Sequence, residues 1–212
     1  MQQPAAPIDG RAARAVRTRE AIVDATVALV EDGDLRPTAP RIAERAGVSV
    51  RSVFQHFDDL PALHTAVVHR VVERLAKLIV PVDPTSPFDE RVAAFVSHRG
   101  ALLDAVAPFR RAAAVHGPFA PEIRAALARG NAYLRAEVTE TFAAEMAEVP
   151  SAERGELGDA MAAVTSWPVW EALRGEAGDG PERARAVMER LLRALLPPAA
   201  AGAPATPDPD AG

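Results

Sequence analysis

The 212-residue sequence contains no cysteine and no long hydrophobic run, and these two absences exclude several classes of protein. Without cysteine the chain forms no disulfide bond, offers no thiolate nucleophile and builds no cysteine-ligated zinc or iron–sulfur site. A membrane-spanning helix needs roughly 18 consecutive apolar residues, and no apolar run reaches that length. We therefore expect a cytoplasmic protein that has no membrane partner.

Sequence motifs of common enzymes are missing as well. The five histidines form no HExxH motif and no i, i+4 pair, and we find no GxSxG elbow, phosphate loop or GxGxxG motif. Acidic pairs such as Asp58-Asp59 and Asp89-Glu90 point in different directions on a helix, so they make poor general acid–base partners. We expect neither an enzyme nor a bound cofactor or metal.

The overall composition is that of a globular protein with a small excess of acid. Hydrophobic residues make up 49% of the chain and charged residues 25%, and the formal net charge is -5. A negative total means that any affinity for nucleic acid must come from a local basic patch.

Helical spacing of apolar residues dominates the sequence. We find no alternating strand pattern of useful length, whereas the good helix formers Ala, Leu, Arg and Glu are abundant. These features predict an all-α fold of about nine helices. Their predicted limits are residues 18–31, 39–46, 50–56, 60–81, 88–106, 109–116, 121–149, 152–174 and 181–196.

The pattern divides the chain into two folded regions between two tails. The ends of the sequence are rich in Pro, Ala and Gly and offer little to bury, so we expect both tails to be disordered. We predict a disordered arm at 1–16, a three-helix domain at 17–62, a helical bundle at 63–196 and a disordered tail at 197–212.

Residues 38–57, TAPRIAERAGVSVRSVFQHF, have the spacing of a helix-turn-helix. Gly47 accepts a turn conformation that a Cβ atom would penalise, and the apolar residues Ile42, Val48 and Val53 bring the two short helices together. Such a unit projects its second helix outward, and a helix of this diameter fits the major groove of B-DNA. The segment therefore predicts a domain that binds double-stranded DNA.

The outward face of the second helix supplies the candidate DNA contacts. Arg51 can donate to guanine, Gln55 can bridge adenine and Val50 can touch a thymine methyl group, while Ser52 and His56 can reach phosphates. The full set of predicted DNA-binding residues is Thr38, Ser49, Val50, Arg51, Ser52, Phe54, Gln55 and His56. The arginines at 11, 14, 17 and 19 can add salt-dependent contacts to the duplex backbone. Each of these residues is equally compatible with an ordinary solvated helix face.

The N-terminal segment resembles the DNA-binding domain of the tetracycline-repressor (TetR) family of transcription regulators over about residues 17–64. The resemblance lies in the opening TREAIVDATVALVEDGD, the T-x-x-x-IAERAGVS core, the aromatic-x-x-Phe ending at Phe54 and Phe57, and Leu63. It implies a DNA-binding domain of three helices, a connecting fourth helix, and a C-terminal bundle for ligand binding and dimerisation. Our hypothesis is a ligand-responsive repressor that acts as a homodimer on a palindromic operator.

Two positions depart from the family pattern. Phe54 stands where the family usually has Tyr, which removes a hydroxyl that contacts phosphate, and Leu60 stands where it usually has Lys. We expect these changes to weaken DNA binding without abolishing it. The alternative function is an all-helical interaction protein whose helix-turn-helix has degenerated and recognises no operator.

Dimerisation is expected from the last two predicted helices, which carry more apolar surface than one helix pair hides. The predicted interface residues are Leu157, Met161, Val164, Trp170, Val187, Leu191 and Leu195. The same residues would also suit an intramolecular core.

A small-molecule effector of unknown identity is expected within the bundle. Apolar walls with a few placed polar groups are typical of ligand pockets, although aromatic residues at helical spacing are often plain core. The predicted pocket residues are Phe95, His98, Arg99, Leu102, Phe109, His116, Tyr133 and Trp167.

Overall fold

The structure is a computed structural model that describes residues 10–117, 120–176 and 180–196. Helices without any strand make up the regular structure of these residues, which confirms the all-α prediction. The helices are α1 (Gly10–Glu31), α2 (Ala39–Ala46), α3 (Val50–His56), α4 (Leu60–Ala76), α5 (Phe88–His116), α6 (Pro121–Thr141), α7 (Ala143–Ala147), α8 (Arg154–Val164), α9 (Trp167–Glu171) and α10 (Pro181–Leu195). A π-helical turn, Ala172–Glu176, follows α9 directly.

The N-terminal arm is shorter than predicted. Helix α1 begins at Gly10, so residues 10–16 are helical and the prediction of a disordered arm over 1–16 is wrong for them. Alanine and arginine are strong helix formers, and this stretch contains little else. Residues 1–9 and 197–212, which were also predicted to be disordered, lie outside the described residues.

The described chain divides into two compact units. The first contains the residues up to Ile79 together with Asp104–Gly130, and the second contains Val80–Leu103 and the residues from Asn131 onward. Helices α5 and α6 each contribute residues to both units.

The core of the first unit holds α1 to α4 together. Ile22 and Leu29 of α1 pack with Ile42, Val53 and Phe57, all of them buried. Val48 packs against the same cluster, as the sequence predicted. Burial of apolar side chains stabilises a fold by about 25 cal/mol per Å², so this cluster fixes the short helices α2 and α3, which would not persist alone.

Gly47 makes the turn between α2 and α3. Its φ of 66° and ψ of 32° lie in the left-handed region, and its N–H caps α2 on the carbonyl groups of Ala43 and Glu44. Ser49 then starts α3 by accepting a hydrogen bond from the N–H of Ser52 at 3.1 Å. Both features match the sequence prediction of a glycine turn followed by a serine cap.

The second unit is built around buried aromatic and ionic groups. Phe95 and Phe142 are both buried and meet edge to face with ring centroids 5.4 Å apart. Arg91 and Glu145 form a buried ion pair in which Nη1 lies 2.9 Å from Oε2. This pair fastens α7 to the N-terminal part of α5.

Three predicted helix boundaries in the second half of the chain differ from the structure. Helix α5 runs unbroken through Pro108, where the sequence predicted two helices, 88–106 and 109–116. Proline removes one backbone donor from a helix, but it does not have to end it. Leu103 and Ala112, on either side of Pro108, are both buried.

The predicted helix 121–149 is interrupted at Phe142. This residue has the non-helical angles φ -110° and ψ 28° and its side chain is fully buried. The carbonyl of Thr141 accepts a hydrogen bond from Arg91 Nη1 at 2.8 Å. A tertiary contact from another helix therefore satisfies the backbone where α6 ends.

The predicted helix 152–174 is also divided. Helix α8 ends at Val164, Ser166 is extended, and α9 begins at Trp167 with Pro168 in its first turn. The sequence predicted that Pro168 would kink or restart the helix, and the restart is confirmed.

Candidate DNA-binding surface and ligand cavity

Helix α3 presents one exposed face beyond the glycine turn. Arg51 and Gln55 are exposed, and neither has a hydrogen-bond or ion-pair partner among the described residues. Val50 and Phe54 are also exposed, with 39% and 62% of their surface accessible. The opposite side of the helix is closed, since Val53 is buried in the core. Four of the predicted DNA-binding residues, Val50, Arg51, Phe54 and Gln55, are thus exposed on α3.

The two serines at the start of α3 are partly engaged within the protein. Ser49 Oγ lies 3.0 Å from Ser52 Oγ, so each hydroxyl has an internal partner. Thr38, the residue before α2, is exposed and makes no side-chain cap bond. Its hydroxyl is therefore better placed for a phosphate than those of the serines. His56 is half-buried at the end of α3.

Acidic residues of the neighbouring segments limit the positive charge of this domain. Asp59 caps α4 by accepting from the Ala62 N–H at 2.8 Å, which places a carboxylate at the helix N-terminus that a phosphate would otherwise approach. On α2, Arg41 pairs with Asp34 and Arg45 pairs with Asp32. Affinity for a duplex must therefore depend mainly on α3 and the arm.

The four arginines of the arm are not equivalent. Arg11, Arg14 and Arg17 lie on the exposed N-terminal turns of α1. The guanidinium of Arg19 instead stacks over the ring of Phe57 at 4.6 Å from its centroid. This cation–π contact links α1 to the residue that follows α3.

A cavity of about 270 Å³ lies within the first unit. Its walls are mainly apolar, and α4 provides the largest share through residues such as Leu63, Val67, Val71 and Leu75. The loop between α1 and α2 and the buried Ile42 also line it. A molecule in this cavity would touch α4 and the helix-turn-helix at the same time.

Polar groups enter the cavity at a few points. His64 and His116 face each other with ring centroids 5.3 Å apart, and His116 Nε2 donates to the Leu35 carbonyl at 2.9 Å. His64 Nδ1 lies 3.4 Å from Glu122 Oε1. Burial lowers the pKa of His64 and the nearby His116 lowers it further, while Glu122 opposes them. Burial also lowers the pKa of Arg110.

Only two of the predicted pocket residues, Phe109 and His116, are among the residues that line this cavity. The other six belong to the second unit. Phe95 packs on Phe142, and Arg99 is buried with hydrogen bonds to Thr165 and Glu137. These two side chains serve the core of that unit.

The remaining four predicted pocket residues have diverse surroundings. Tyr133 is 43% exposed and Leu102 is half-buried. His98 Nδ1 and Trp167 Nε1 are buried and lack a hydrogen-bond partner among the described residues. The structure does not gather these four into the cavity of the first unit.

The predicted dimer residues separate into two groups. Met161 and Trp170 are fully buried in the second unit, so they are core residues and the prediction that they face a partner is wrong. A Cβ atom at Gly100 would lie 2.9 Å from Trp170 Cη2, which shows how closely α5 packs on this ring. The residues with remaining accessible surface are Leu157, Val164, Val187, Leu191 and Leu195.

Sequence reasoning had considered Arg110 as a polar neighbour of a pocket, but it missed the cavity residue His64, which lies on α4. Its only sequence signal is a polar residue on an otherwise apolar helix face, and that signal is also produced by a core that satisfies its own polar groups.

An exposed α3 placed after α2 by a glycine turn is the arrangement of a helix-turn-helix, the kind of unit that enters the major groove of DNA. Residues 22–63 match the family model for bacterial regulatory proteins of the tetR family. No curated protein sequence matches the chain.

Solved structures of similar fold support the same architecture. A transcriptional regulator from Rhodococcus sp. Rha1 superposes with a TM-score of 0.63 at 17% identity, covering 85% of this chain and 95% of the other. A protein from Mesorhizobium loti MAFF303099, described as a TetR-family transcriptional regulator, gives 0.59 at 17% identity, covering 86% and 96%. The multidrug binding protein EbrR complexed with imidazole gives 0.57 at 21% identity, covering 90% and 95%. These likenesses establish the fold.

No described helix is both long enough and apolar enough to cross a membrane.

Proposed function

We propose that this protein is a ligand-responsive repressor that acts in the cytoplasm as a homodimer on a palindromic operator. The observation that carries the proposal is the open face of α3, on which Arg51 and Gln55 are exposed without an internal partner. Arginine and glutamine at such positions form bidentate pairs with guanine and adenine in the major groove.

We expect the protein to act as a dimer because the DNA-reading helix α3 is short. Helix α3 spans only Val50–His56, so one copy makes few base contacts. Two copies on a two-fold axis gain affinity because the second binding event becomes intramolecular. The accessible residues Leu157, Leu191 and Leu195 on α8 and α10 are the proposed contacts, since apolar faces of two helix pairs can form a four-helix interface.

The cavity of the first unit is the proposed effector site. EbrR was solved in complex with imidazole, which supports a small-molecule site in the present chain. A ligand there would press on α4 and on the loop before α2, both of which line the cavity. Displacement of α4 would alter the spacing of the two α3 helices, which must match successive major grooves about 34–36 Å apart.

Binding to DNA is tested with a mobility-shift assay on the duplex upstream of the protein's own gene, repeated over a range of salt concentrations. We expect a specific complex whose logarithmic affinity falls linearly with the logarithm of salt concentration, because phosphate contacts release counterions. A protein indifferent to duplex DNA would be the degenerate interaction protein instead, which the acidic Asp58-Asp59 pair beside α3 favours.

Regulation by a ligand is tested by linkage. A compound that weakens operator binding by a given factor must lose affinity by the same factor when operator is bound. If no compound in a broad screen changes operator affinity at saturation, the repressor is not ligand-responsive.

A further inference from the structure

The cavity of the first unit has a polarity that restricts what it can hold. Five polar side chains line it: Thr26, Arg36, His64, Arg110 and His116. Among the described residues that line the cavity, none is acidic. We propose that the effector is a compact apolar monocarboxylate whose carboxylate pairs with Arg110. That this ligand regulates DNA binding rests on the proposed function, whereas its binding in the cavity does not.

The volume of the cavity limits the size of the ligand. At roughly 30 Å³ for each water-sized group, a space of 270 Å³ holds about nine such groups. The walls are mostly Val, Leu and Ala side chains, which favour a hydrocarbon body. A saturated chain of about eight carbons with one charged end fits both limits.

Arg110 is the charged group best placed to select the ligand head. A Cβ atom built on Gly130 would lie 3.9 Å from Arg110 Nη2, so the guanidinium reaches across to α6, and both residues line the cavity. The missing side chain of Gly130 leaves space beside the guanidinium. Arginine stays protonated in proteins and matches a carboxylate with two parallel hydrogen bonds. Burial makes such a pair stronger than it would be in water.

The two histidines add to the preference for an anion. His116 already donates through Nε2 to the Leu35 carbonyl, and His64 contacts His116 and Glu122. A cationic ligand would meet Arg110 and gain no carboxylate from the described lining, whereas an anionic ligand would favour protonation of His64. Glu122 contacts His64 but is not among the lining residues.

Calorimetric titration of the full chain with octanoate, octanamide and octylammonium tests the proposal, because the three probes share one hydrocarbon body. We expect octanoate to bind about tenfold or more tightly than either of the others, the ratio typical of a buried hydrogen-bonded charge pair. Failure of octanoate to bind, or equal or tighter binding of octanamide or octylammonium, overturns the proposal. This ratio is measured on the unmodified protein, so it does not depend on the folding of a variant.

Three variants then test the site. Arg110→Gln should lose the preference for octanoate, and Arg110→Lys should retain part of it, because lysine keeps the charge. Arg111→Gln is the matched control, since Arg111 is the exposed neighbour of Arg110 on α5 and is not among the lining residues. It should change octanoate affinity by less than about twofold. If Arg110→Gln still prefers octanoate, another group binds the carboxylate and the proposed pairing with Arg110 is wrong.

Placement in the cavity is tested with Ala126→Leu, which fills space from α6. This variant should weaken octanoate and octanamide alike, and unchanged affinity would place the ligand elsewhere and overturn the proposal. Because calorimetry uses no DNA, it tests the class of ligand independently of the proposed repressor function. If octanoate binds but does not change operator affinity, the ligand does not regulate DNA binding. If only cationic compounds change operator affinity, the proposal of a carboxylate effector is wrong.

Discussion

Arg51 is the residue whose role in sequence reading can be tested most simply. It is exposed on α3 without a partner in the described part of the chain, so Arg51→Ala should leave folding unchanged. If Arg51 contacts a guanine, the variant should lose about 1–3 kcal/mol of discrimination between operator and random DNA. Fluorescence anisotropy with both duplexes measures this, with the exposed Arg129→Ala on α6 as a control for loss of one charge. Equal losses on both duplexes would mean that Arg51 contacts only phosphate.

His64 should make stability depend on pH. Its pKa is lowered from 6.5 in the folded protein, first by burial and then by His116, whereas the unfolded chain takes up this proton near 6.5. The unfolded state therefore binds more protons below that pH, and the free energy of unfolding should decrease as pH falls from about 6.5 until folded His64 is also protonated. Urea unfolding between pH 7.5 and 5.5 measures the slope.

The control for this slope is the exposed His69 on the same helix. His64→Gln should flatten the pH dependence, and His69→Gln should leave it almost intact. A slope that is the same in His64→Gln and in the unmodified protein would show that His64 does not carry the effect.

Single residues could be predicted from the sequence where the local backbone conformation requires a particular residue type. Gly47 and Ser49 were identified because a left-handed turn and a helix cap each need particular residue types. The cavity was not predictable in this way, since Arg110 and His64 become neighbours of one space only after their helices pack. Trp170 was misread for the same reason, because the sequence shows its hydrophobicity but not which surface covers it.

The turn between α2 and α3 offers a test of an element's geometry. Gly47 has a φ of 66°, and a Cβ atom there would meet nothing within 4 Å, so Gly47→Ala introduces backbone strain without a clash. The expected cost is about 1–2 kcal/mol in the free energy of unfolding, with a parallel loss of DNA affinity. Gly155→Ala is the matched control, because Gly155 is helical in α8 with equally open space, and it should stabilise the protein by about 0.5–1 kcal/mol. A neutral Gly47→Ala would mean that the turn needs no glycine.

The buried pair of Arg91 and Glu145 should be the most sensitive polar contact between helices. Burial alone would raise the pKa of Glu145, but hydrogen bonds from Arg91 and its own backbone, together with the charge of Arg91, lower it. Removing one partner leaves an uncompensated charge, so Glu145→Ala should cost about 3–5 kcal/mol. The exposed pair of Arg135 and Asp159 is the comparison, and Arg135→Ala should cost less than about 1 kcal/mol.

Chemical denaturation at several pH values checks this contact. A carboxylate with a lowered pKa stabilises the fold above its ordinary value of 4.5, and that stabilisation is lost as pH falls through the folded pKa. Equal costs for Glu145→Ala and Arg135→Ala would contradict the buried character of the pair.

The positions of helices were predictable from apolar spacing, but several of their ends were not. Pro168 began a new helix as expected, whereas Pro108 lies inside α5. Proline alone does not decide between these outcomes, because packing on both sides of the residue sets the balance. The break at Phe142 had no sequence signal, since it depends on a hydrogen bond from Arg91 to the Thr141 carbonyl.

For the whole molecule, the proposed operator binding depends on the proposed homodimer. Leu191 is 36% exposed on α10 and belongs to the proposed dimer face. Leu191→Arg should convert a dimer into a monomer of 22.4 kDa, because a charge in an apolar interface must be desolvated. Sedimentation velocity measures the change, and Leu78→Arg, at an exposed leucine outside that face, should remain dimeric. A dimer in Leu191→Arg would place the interface elsewhere.

We propose that α3 reads bases in two major grooves on one face of DNA. Footprinting on a fragment selected by the protein from chromosomal DNA is the decisive experiment, with an Arg51→Ala, Gln55→Ala double variant beside the unmodified protein. We expect two protected half-sites with centres about one helical turn apart, and their loss in the double variant. Protection that is identical in both proteins, or no discrete protected site at all, would contradict it.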